Sequence, residues 1–433
     1  MFRTIRNIFR VGDLRNKIIF TLLMLVVFRI GTHIPAPGVN SDALDFGGLS
    51  AFGFLNAFGG GALEKFSIFA TGIMPYITAS IIVQLLRMDV VPKFTEWSKQ
   101  GEVGRKKLAQ VTRYATIVIA FFQALALSIG FNNLMPGLVP NPSVMTYLLI
   151  AVVLTAGTAF LMWIGEQITV KGIGNGISII IFGGIAAGIP TAVMQLYTTY
   201  IEDAGEQLFI NIVTVLLILM AIVAIVVAVI FVQQAVRKIP VQYAKKMAAG
   251  GRPTGGQSTH LPIKVNAAGV IPVIFASALF YLPQTIAGIF GSGGAVSQWV
   301  IDAFDLKNPI GMVVYGLLII AFAYFYTFVQ INPEQMADNL KKQNGFIPGI
   351  RPGKATQTYI VRTLYRLTFV GSLFLAVIAI LPLIFSSALG LPTAVHIGGT
   401  SLLIVVGVAL DTMKQVESQL LERRYSGFLK KSS

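Results

Sequence analysis

The sequence predicts an all-α polytopic membrane protein in which ten transmembrane helices form two structural repeats around a central path. Of its 433 residues, 55% are hydrophobic and 12% charged, too little polar surface for a soluble chain of that length. Ten stretches approach the roughly 20 apolar residues that cross ~30 Å of hydrocarbon. They fall at about 16–34, 67–87, 114–131, 144–165, 174–195, 209–232, 267–289, 311–330, 367–387 and 399–416. Two pairs of apolar segments are also near copies of each other at matching places in the two halves. Gly72-Ile73-Met74-Pro75-Tyr76-Ile77 recurs as Gly269-Val270-Ile271-Pro272-Val273-Ile274, and Gly176-Ile177-Ser178-Ile179-Ile180-Ile181 as Gly399-Thr400-Ser401-Leu402-Leu403-Ile404. Gly and Pro at corresponding places inside apolar spans mark where a central path lies.

Taken in order, the N-terminal arm places Phe2, Ile5 and Phe9 at helical spacing with Arg3, Arg6 and Arg10 between them, the pattern of a short helix lying on a membrane surface. The first span lacks a small-residue cleavage site and is followed by Pro35 and Pro37, so no cleavable signal peptide is expected. Residues 41–66 are apolar for an external loop. Leu49, Phe52, Phe54, Leu55 and Phe58 suit a helix of two or three turns, loosely attached through Gly47, Gly48, Gly53, Gly59, Gly60 and Gly61. It is too short to span. Either it folds back into a cavity, the reading favoured here, or it lies at the interface.

Charge sets the expected orientation, because short cytoplasmic loops accumulate Lys and Arg. The N-terminal arm also carries Arg15 and Lys17 against Asp13. Residues 88–113 hold Lys93, Lys99, Arg105, Lys106, Lys107 and Arg113, and residues 233–266 hold Arg237, Lys238, Lys245, Lys246, Arg252 and Lys264 with no acid. The intervening segments near 131–143, 198–208 and 290–310 are uncharged or acidic overall, as with Glu202, Asp203 and Glu206. Ten spans then return Arg423, Arg424, Lys430 and Lys431 to the cytoplasm with the N-terminus. The net charge of +15 serves topology and also suits acidic cytoplasmic partners.

Two cytoplasmic loops, 233–266 and 331–366, are longer than antiparallel helices need. The first contains residues 248–256 (AAGGRPTGG), a turn at its tip. In the second, Gly345-Phe346-Ile347-Pro348-Gly349-Ile350-Arg351-Pro352-Gly353 presents Arg351 on a rigid tip, a candidate for docking a partner.

Chemistry is sparse. There are no cysteines, hence no disulfide and no thiolate ligand or nucleophile. The histidines His33, His260 and His396 form no metal-binding pair, and no phosphate-binding GxxxxGK[ST] loop occurs. The run Gly172-Ile173-Gly174-Asn175-Gly176 joins two spans without a preceding strand and reads as a tight cytoplasmic turn. Arg29, Arg87 and Glu166 fall near span ends, where they can snorkel. The middles of the spans carry no acid or His for coupling transport to ions. Three function classes remain at this stage: a partner-driven conduit, an uncoupled solute transporter and a membrane scaffold.

Isoleucine recurs at helical spacing as Ile73, Ile77 and Ile81 in span 2 and as Ile173, Ile177 and Ile181 in span 5, with Ile271 and Ile274 in span 7 and Ile404 in span 10. Each alone is equally a lipid-facing residue. The repeat, however, pairs Ile77 with Ile274 and Ile181 with Ile404, which a pseudo-two-fold axis brings together. A collar of β-branched aliphatic side chains excludes water and ions by dewetting and binds nothing strongly.

The stretches GIMPYITASIIVQLL (72–86), GRKKLAQ (104–110), LMWIGEQIT (161–169), GIGNGISIIIF (172–182), QSTHLPIKVN (257–266), ADNLKKQNGFIPGIRPG (337–353) and GGTSLLIVV (398–406) resemble the SecY family of bacterial protein-translocation channels, along essentially the whole chain. The resemblance implies two pseudo-symmetric, inverted five-helix halves around a central pore, residues 1–205 and 206–433, with a lateral gate between spans 2/3 and 7/8. It implies a pore ring of Ile77, Ile81, Ile177, Ile181, Ile274 and Ile404 and a plug within about 47–61. It implies that the cytoplasmic loops, with Arg351, Arg237, Lys238, Lys245, Lys246 and Arg252, dock SecA or the ribosome, that SecE clamps the halves and that SecG is peripheral. The substrates implied are unfolded secretory and membrane polypeptides, in the bacterial cytoplasmic membrane, with both termini cytoplasmic. No catalytic residue, cofactor or metal is expected.

Overall fold

Each predicted span is answered by one long helix in the computed structural model. It describes residues 11–40, 56, 58–88, 90–135, 137–202, 208–243, 246–247, 253–254, 258–289, 295–306, 308–389 and 398–429. The first half comprises α1 (Gly12–Gly31), α2 (Met74–Leu86), the short α3 (Pro92–Lys99), α4 (Glu102–Leu134), α5 (Val144–Lys171) and α6 (Gly176–Tyr197), which ends in a π turn at Thr198–Glu202. The second comprises α7 (Leu208–Gln234), strands β1 (Val236–Tyr243), β2 (Lys246–Met247), β3 (Pro253–Thr254) and β4 (Ser258–Lys264), then α8 (Ile271–Ile289), the short α9 (Ala295–Ala303), α10 (Pro309–Gln330), the short α11 (Pro333–Lys342), β5 (Gly345–Phe346), α12 (Lys354–Leu389) and α13 (Gly398–Leu429). Among the described residues, six helices are long and apolar enough to cross a membrane on length and composition alone. Of the other four span helices, α1 and α13 carry charged turns, and α2 and α8 are shorter apolar helices.

The halves repeat one packing plan. α1 lies on α5 and α6 as α7 lies on α12 and α13; α2 packs on α4 as α8 does on α10; α4 and α5, and α5 and α6, pair as α10 and α12, and α12 and α13, do. Between the halves, α8 meets α2 and α4, and α6 meets α13.

Span 2 departs from its expected length. Its apolar run begins near residue 67, yet α2 starts only at Met74. Residues 62–73 are turns packed against the first half, with Ala62, Leu63, Phe66, Ser67 and Phe69 almost wholly enclosed and Glu64 and Lys65 exposed. Irregular backbone at membrane depth survives only where protein satisfies its polar groups. Here the Ala36 amide donates to the Phe66 carbonyl (2.9 Å), the Ile68 amide to Ile34 (3.0 Å) and the Ser67 amide to Ala62 (2.9 Å). The Phe69 amide donates to Ser67 Oγ (3.2 Å). Phe66 itself takes φ 41°, a left-handed conformation that a bulky residue holds only under the compulsion of its surroundings.

The two long loops are more than connectors. β1 pairs antiparallel with β4, from Val236 opposite Lys264 to Gln242 opposite Ser258, and also with β5 from the second loop, Gln242 opposite Phe346. Ile239, Val241 and Ile263 bury one face of this sheet against Leu340, Ile347, Ile360 and Leu364. The mainly α framework thus carries a three-stranded sheet that fuses both loops to the start of α12, beside a separate two-stranded pairing of β2 with β3.

Close backbone approach fixes α5 against the buried turns. A Cβ on Gly157 would sit 1.9 Å from the Ile68 carbonyl oxygen, whereas one on Gly12 meets nothing within 4 Å. Gly157→Ala is expected to destabilise the protein by about 2 kcal/mol or more through overpacking, with Gly12→Ala near neutral, as read by thermal unfolding in detergent.

Candidate functional site

The repeated segments begin their helices in the same way. Gly72 (φ 57°) and Gly269 (φ 66°) are both left-handed, and each is followed by a helix with proline at its second position, Pro75 in α2 and Pro272 in α8. Glycine supplies the positive φ without a Cβ penalty. Proline is tolerated there because the first-turn amides have no helical partner. The turn is anchored to α5, since Thr71 and Thr158 hydroxyls lie 2.7 Å apart and Thr158 Oγ1 donates to the Gly72 carbonyl (3.4 Å). One helical turn beyond each glycine stand Ile77 and Ile274.

The entry to α6 is equally specific. Asn175 caps the helix, its Oδ1 accepting from the Ile177 amide (3.1 Å) and the Ser178 amide (3.5 Å), the usual work of an N-cap amide side chain. Gly174 (φ 83°) makes the bend. Gly176 then lies so near α5 that a Cβ would stand 1.8 Å from the Gly165 carbonyl oxygen, and one on Gly165 would stand 2.8 Å from Ile177 Cδ1. The expected tight turn at 172–176 is therefore the device that seats Ile177 and Ile181.

From these four helices, all six ring isoleucines enter one contiguous hydrophobic cluster that spans both halves. Ile77, Ile81, Ile181, Ile274 and Ile404 are 3%, 6%, 1%, 4% and 0% exposed, and Ile177 is partly buried against them. The six thus share one apolar cluster with aromatic and other aliphatic side chains from both halves. Ile73 and Ile271 join the same cluster. Ile173 does not: it precedes the helix and packs with Leu14 and Val416 in a separate cluster.

Sequence reasoning missed the aromatic and aliphatic backing of this constriction. Phe28 of α1 stacks on Phe69 with ring centres 6.2 Å apart, and Ile185, Ile225 and Val229 extend the cluster into α6 and α7. Helical spacing from Ile181 marks Ile185, but nothing local in the sequence points to Phe69. Glu166 is also more than a snorkelling acid, because Arg113 Nε donates to its Oε1 at 2.6 Å, joining α4 to α5.

Of the expected plug, Leu49, Phe52, Phe54 and Leu55 lie outside the described residues. Phe58 is described, and is 3% exposed within the central cluster. Of the docking residues, Lys245 and Arg252 lie outside the described residues and Lys246 falls in β2. Arg237 and Lys238 are exposed on β1. Arg351 is exposed on a turn bounded by Gly349 (φ 80°) and Gly353 (φ 104°), and its carbonyl accepts from Thr356 Oγ1 at 2.9 Å. The N-terminal residues Phe2, Ile5 and Phe9 lie outside the described residues.

Ten helices in two pseudo-symmetric halves, with one apolar cluster running across both, define a multi-pass membrane channel fold. The chain belongs to the SecY family: the family model described as SecY matches residues 67–413. It is 72% identical over 431 residues to the protein translocase subunit SecY of Halalkalibacterium halodurans, covering 99% of this chain and 100% of that one. It is 65% identical over 433 residues to the protein translocase subunit SecY of Bacillus subtilis, covering 99% and 100%. Among solved structures, a SecY channel whose plug domain is described as stabilising the closed state and maintaining a membrane seal superposes with a TM-score of 0.66, 20% identity and coverage of 93% and 92%. Sec61 in a canine ribosome-channel complex superposes with a TM-score of 0.58, 18% identity and the same coverage.

A polar group in the collar would admit water and ions. Ile404→Asn, at a position 0% exposed, is expected to raise ion leak through reconstituted vesicles by about tenfold or more; a surface substitution such as Leu217→Asn on α7 is expected to leave the leak unchanged.

Proposed function

We propose that the chain is a passive conduit for unfolded polypeptide, opening across the membrane for secretion and sideways for insertion of apolar segments. The observation that carries this is the convergence of Ile77, Ile81, Ile177, Ile181, Ile274 and Ile404, from four helices and both halves, into one buried apolar cluster. A site that bound a solute would place a few polar groups at its narrowest point. These six positions supply none, so a sliding chain of any sequence meets a surface that yields without holding it.

Residues 1–205 and 206–433 act as the two moving bodies, and the seam of α2 and α4 against α8 and α10 is the lateral gate. An apolar segment in the path gains about 25 cal/mol for each Å² it transfers into lipid through that seam, while polar segments continue across. The segment around residues 47–61, with Leu49, Phe52, Phe54, Leu55 and Phe58, stops the path on the side away from the sheet. That assignment makes the sheet side and both termini cytoplasmic, in the inner membrane of a bacterium, in keeping with the basic loops.

The chain is not the source of force and is not an enzyme. SecA or a translating ribosome supplies movement, docking on the sheet and the 345–353 turn through Arg351, with Arg237, Lys238, Lys245, Lys246 and Arg252 around it; SecE holds the halves together and SecG is peripheral. The fusion of both loops into one sheet supports a rigid platform there. Arg351→Glu, on an exposed turn, is expected to cut SecA- and ATP-dependent import of a secretory precursor into vesicles by about tenfold or more, since like-charge contact at an interface costs several kcal/mol. The thermal stability of the variant should be unchanged, and normal import by it would refute the docking role.

A further inference from the structure

The outer face of α12 carries charge at the depth where the membrane ends. Ile360 and Leu364 are buried beneath the sheet, whereas Arg362 and Arg366, each two residues further on, are exposed. Two residues along a helix turn the side chain by about 200°, so the same two turns carry the sheet on one face and the arginines on the other. The apolar run of residues 367–387 begins directly after Arg366. Arg366 therefore stands at the hydrocarbon boundary, and Arg362, one turn or about 6 Å further out, stands in the headgroup layer. Beyond Arg366 the stripe continues as Val370, Leu373 and Val377, all exposed, a track for lipid chains.

The neighbouring helix sets the same depth independently. Tyr324 of α10 reaches across to α12, its hydroxyl donating to the Tyr365 carbonyl (3.2 Å). The Tyr324 and Tyr365 ring centres lie 5.9 Å apart, and those of Phe328 and Tyr365 4.8 Å. Tyrosine rings collect at the headgroup level, where one end is apolar and the other wet. The hydrogen bond falls on the residue next to Arg366 and so fixes the arginine-bearing turn of α12 against α10.

A guanidinium stays charged and grips phosphate oxygens through two parallel donors. An anionic phospholipid offers its phosphate to the pair and its acyl chains to the track, while a zwitterionic one brings its own cation against the arginines. We infer that Arg362 and Arg366, beside the Tyr324–Tyr365 edge, form a binding site for the phosphate of an anionic phospholipid in the leaflet on the sheet side. Its acyl chains run along Val370, Leu373 and Val377. Because the opposite face of these turns holds Ile239, Val241 and Ile263 of the sheet, the bound headgroup sets the height of the sheet above the membrane surface. The inference rests on the placement of α10 and α12 in the membrane and is independent of what passes the collar.

The purified full chain in a non-ionic detergent is titrated with dioleoylphosphatidylglycerol or dioleoylphosphatidylcholine, and bound lipid is counted by native mass spectrometry. The variants are Arg362→Gln/Arg366→Gln, Arg366→Gln alone, and Lys341→Gln/Lys342→Gln, which removes two exposed charges from α11 instead. A basic residue at the membrane surface contributes about fivefold to the binding of an anionic lipid. The arginine pair variant is expected to bind phosphatidylglycerol about 25-fold more weakly and phosphatidylcholine unchanged, with the α11 variant like wild type for both lipids. Undiminished phosphatidylglycerol binding by the arginine pair variant, or an equal loss from the α11 variant, overturns the site. Displacement of bound phosphatidylglycerol by millimolar inorganic phosphate marks a general anion site and overturns the lipid assignment. Where the pair variant does not fold, Arg366→Gln decides: about fivefold weaker binding is expected, and unchanged binding overturns the inference. None of these readouts involves transport, so the conduit reading is tested separately.

Discussion

Apolar contact, in one hydrophobic cluster that spans both halves and includes Ile77, Ile181, Ile274 and Ile404, is what the two halves depend on where they meet. Such contact is non-directional and close to proportional to the area buried, so it can be broken and remade without leaving a group unsatisfied. A hydrogen bond or ion pair in the same place would hold the halves in one register and leave orphaned polar atoms whenever they parted. Under the proposed function, the collar of Ile77, Ile81, Ile177, Ile181, Ile274 and Ile404 seals by shape and opens cheaply. Polar contact between the halves is found away from it, where Lys17 of α1 donates to Gln419 of α13 (3.4 Å).

Several polar and backbone features set where the helices that carry these isoleucines begin. The left-handed glycines before α2 and α8, the threonine pair at Thr71 and Thr158, the Asn175 cap and the close approach of Gly165 to Gly176 each set where a helix begins, and so which isoleucine faces inward. The buried turns of residues 62–73 have the same logic. They use the interior of the first half as a solvent for irregular backbone, satisfying amides with neighbouring carbonyls and hydroxyls and admitting the close contacts that Gly157 and Gly31 permit. The strain at Phe66 (φ 41°) lies where the buried turns give way to α2.

How much of this was legible in the sequence follows from what hydropathy measures. Apolar runs located all ten long helices, because burial in lipid and burial in a helix bundle look alike to a window average. For the same reason the run from Ser67 to Ile73 read as helix although its backbone turns: hydropathy reports burial and not conformation. The turn signals, Gly72 before Pro75 and Gly269 before Pro272, were on the page and located the collar by internal repetition. The polar extensions of α4, α12 and α13 were invisible to a hydropathy window, and the sheet was invisible because β1 and β5 are separated by four helices in sequence and pair only when both loops have returned to one side. Ile173 was grouped with Ile177 and Ile181 by spacing, yet Gly174 and Asn175, the very cap that starts α6, place it outside the helix. Lys245, Arg252 and most of the stopper lie outside the described residues, and their roles rest on the sequence alone.

The central claim is that an unfolded chain passes through the isoleucine collar. It is tested most directly by arresting a secretory polypeptide midway and placing photoreactive side chains, one at a time, at Ile77, Ile181 and Ile274, with Leu217 on the outer face of α7 as the comparison. The account predicts adducts to the arrested chain from all three collar positions and none from Leu217. Collar probes that label only lipid or neighbouring helices while the arrested chain is present would contradict it.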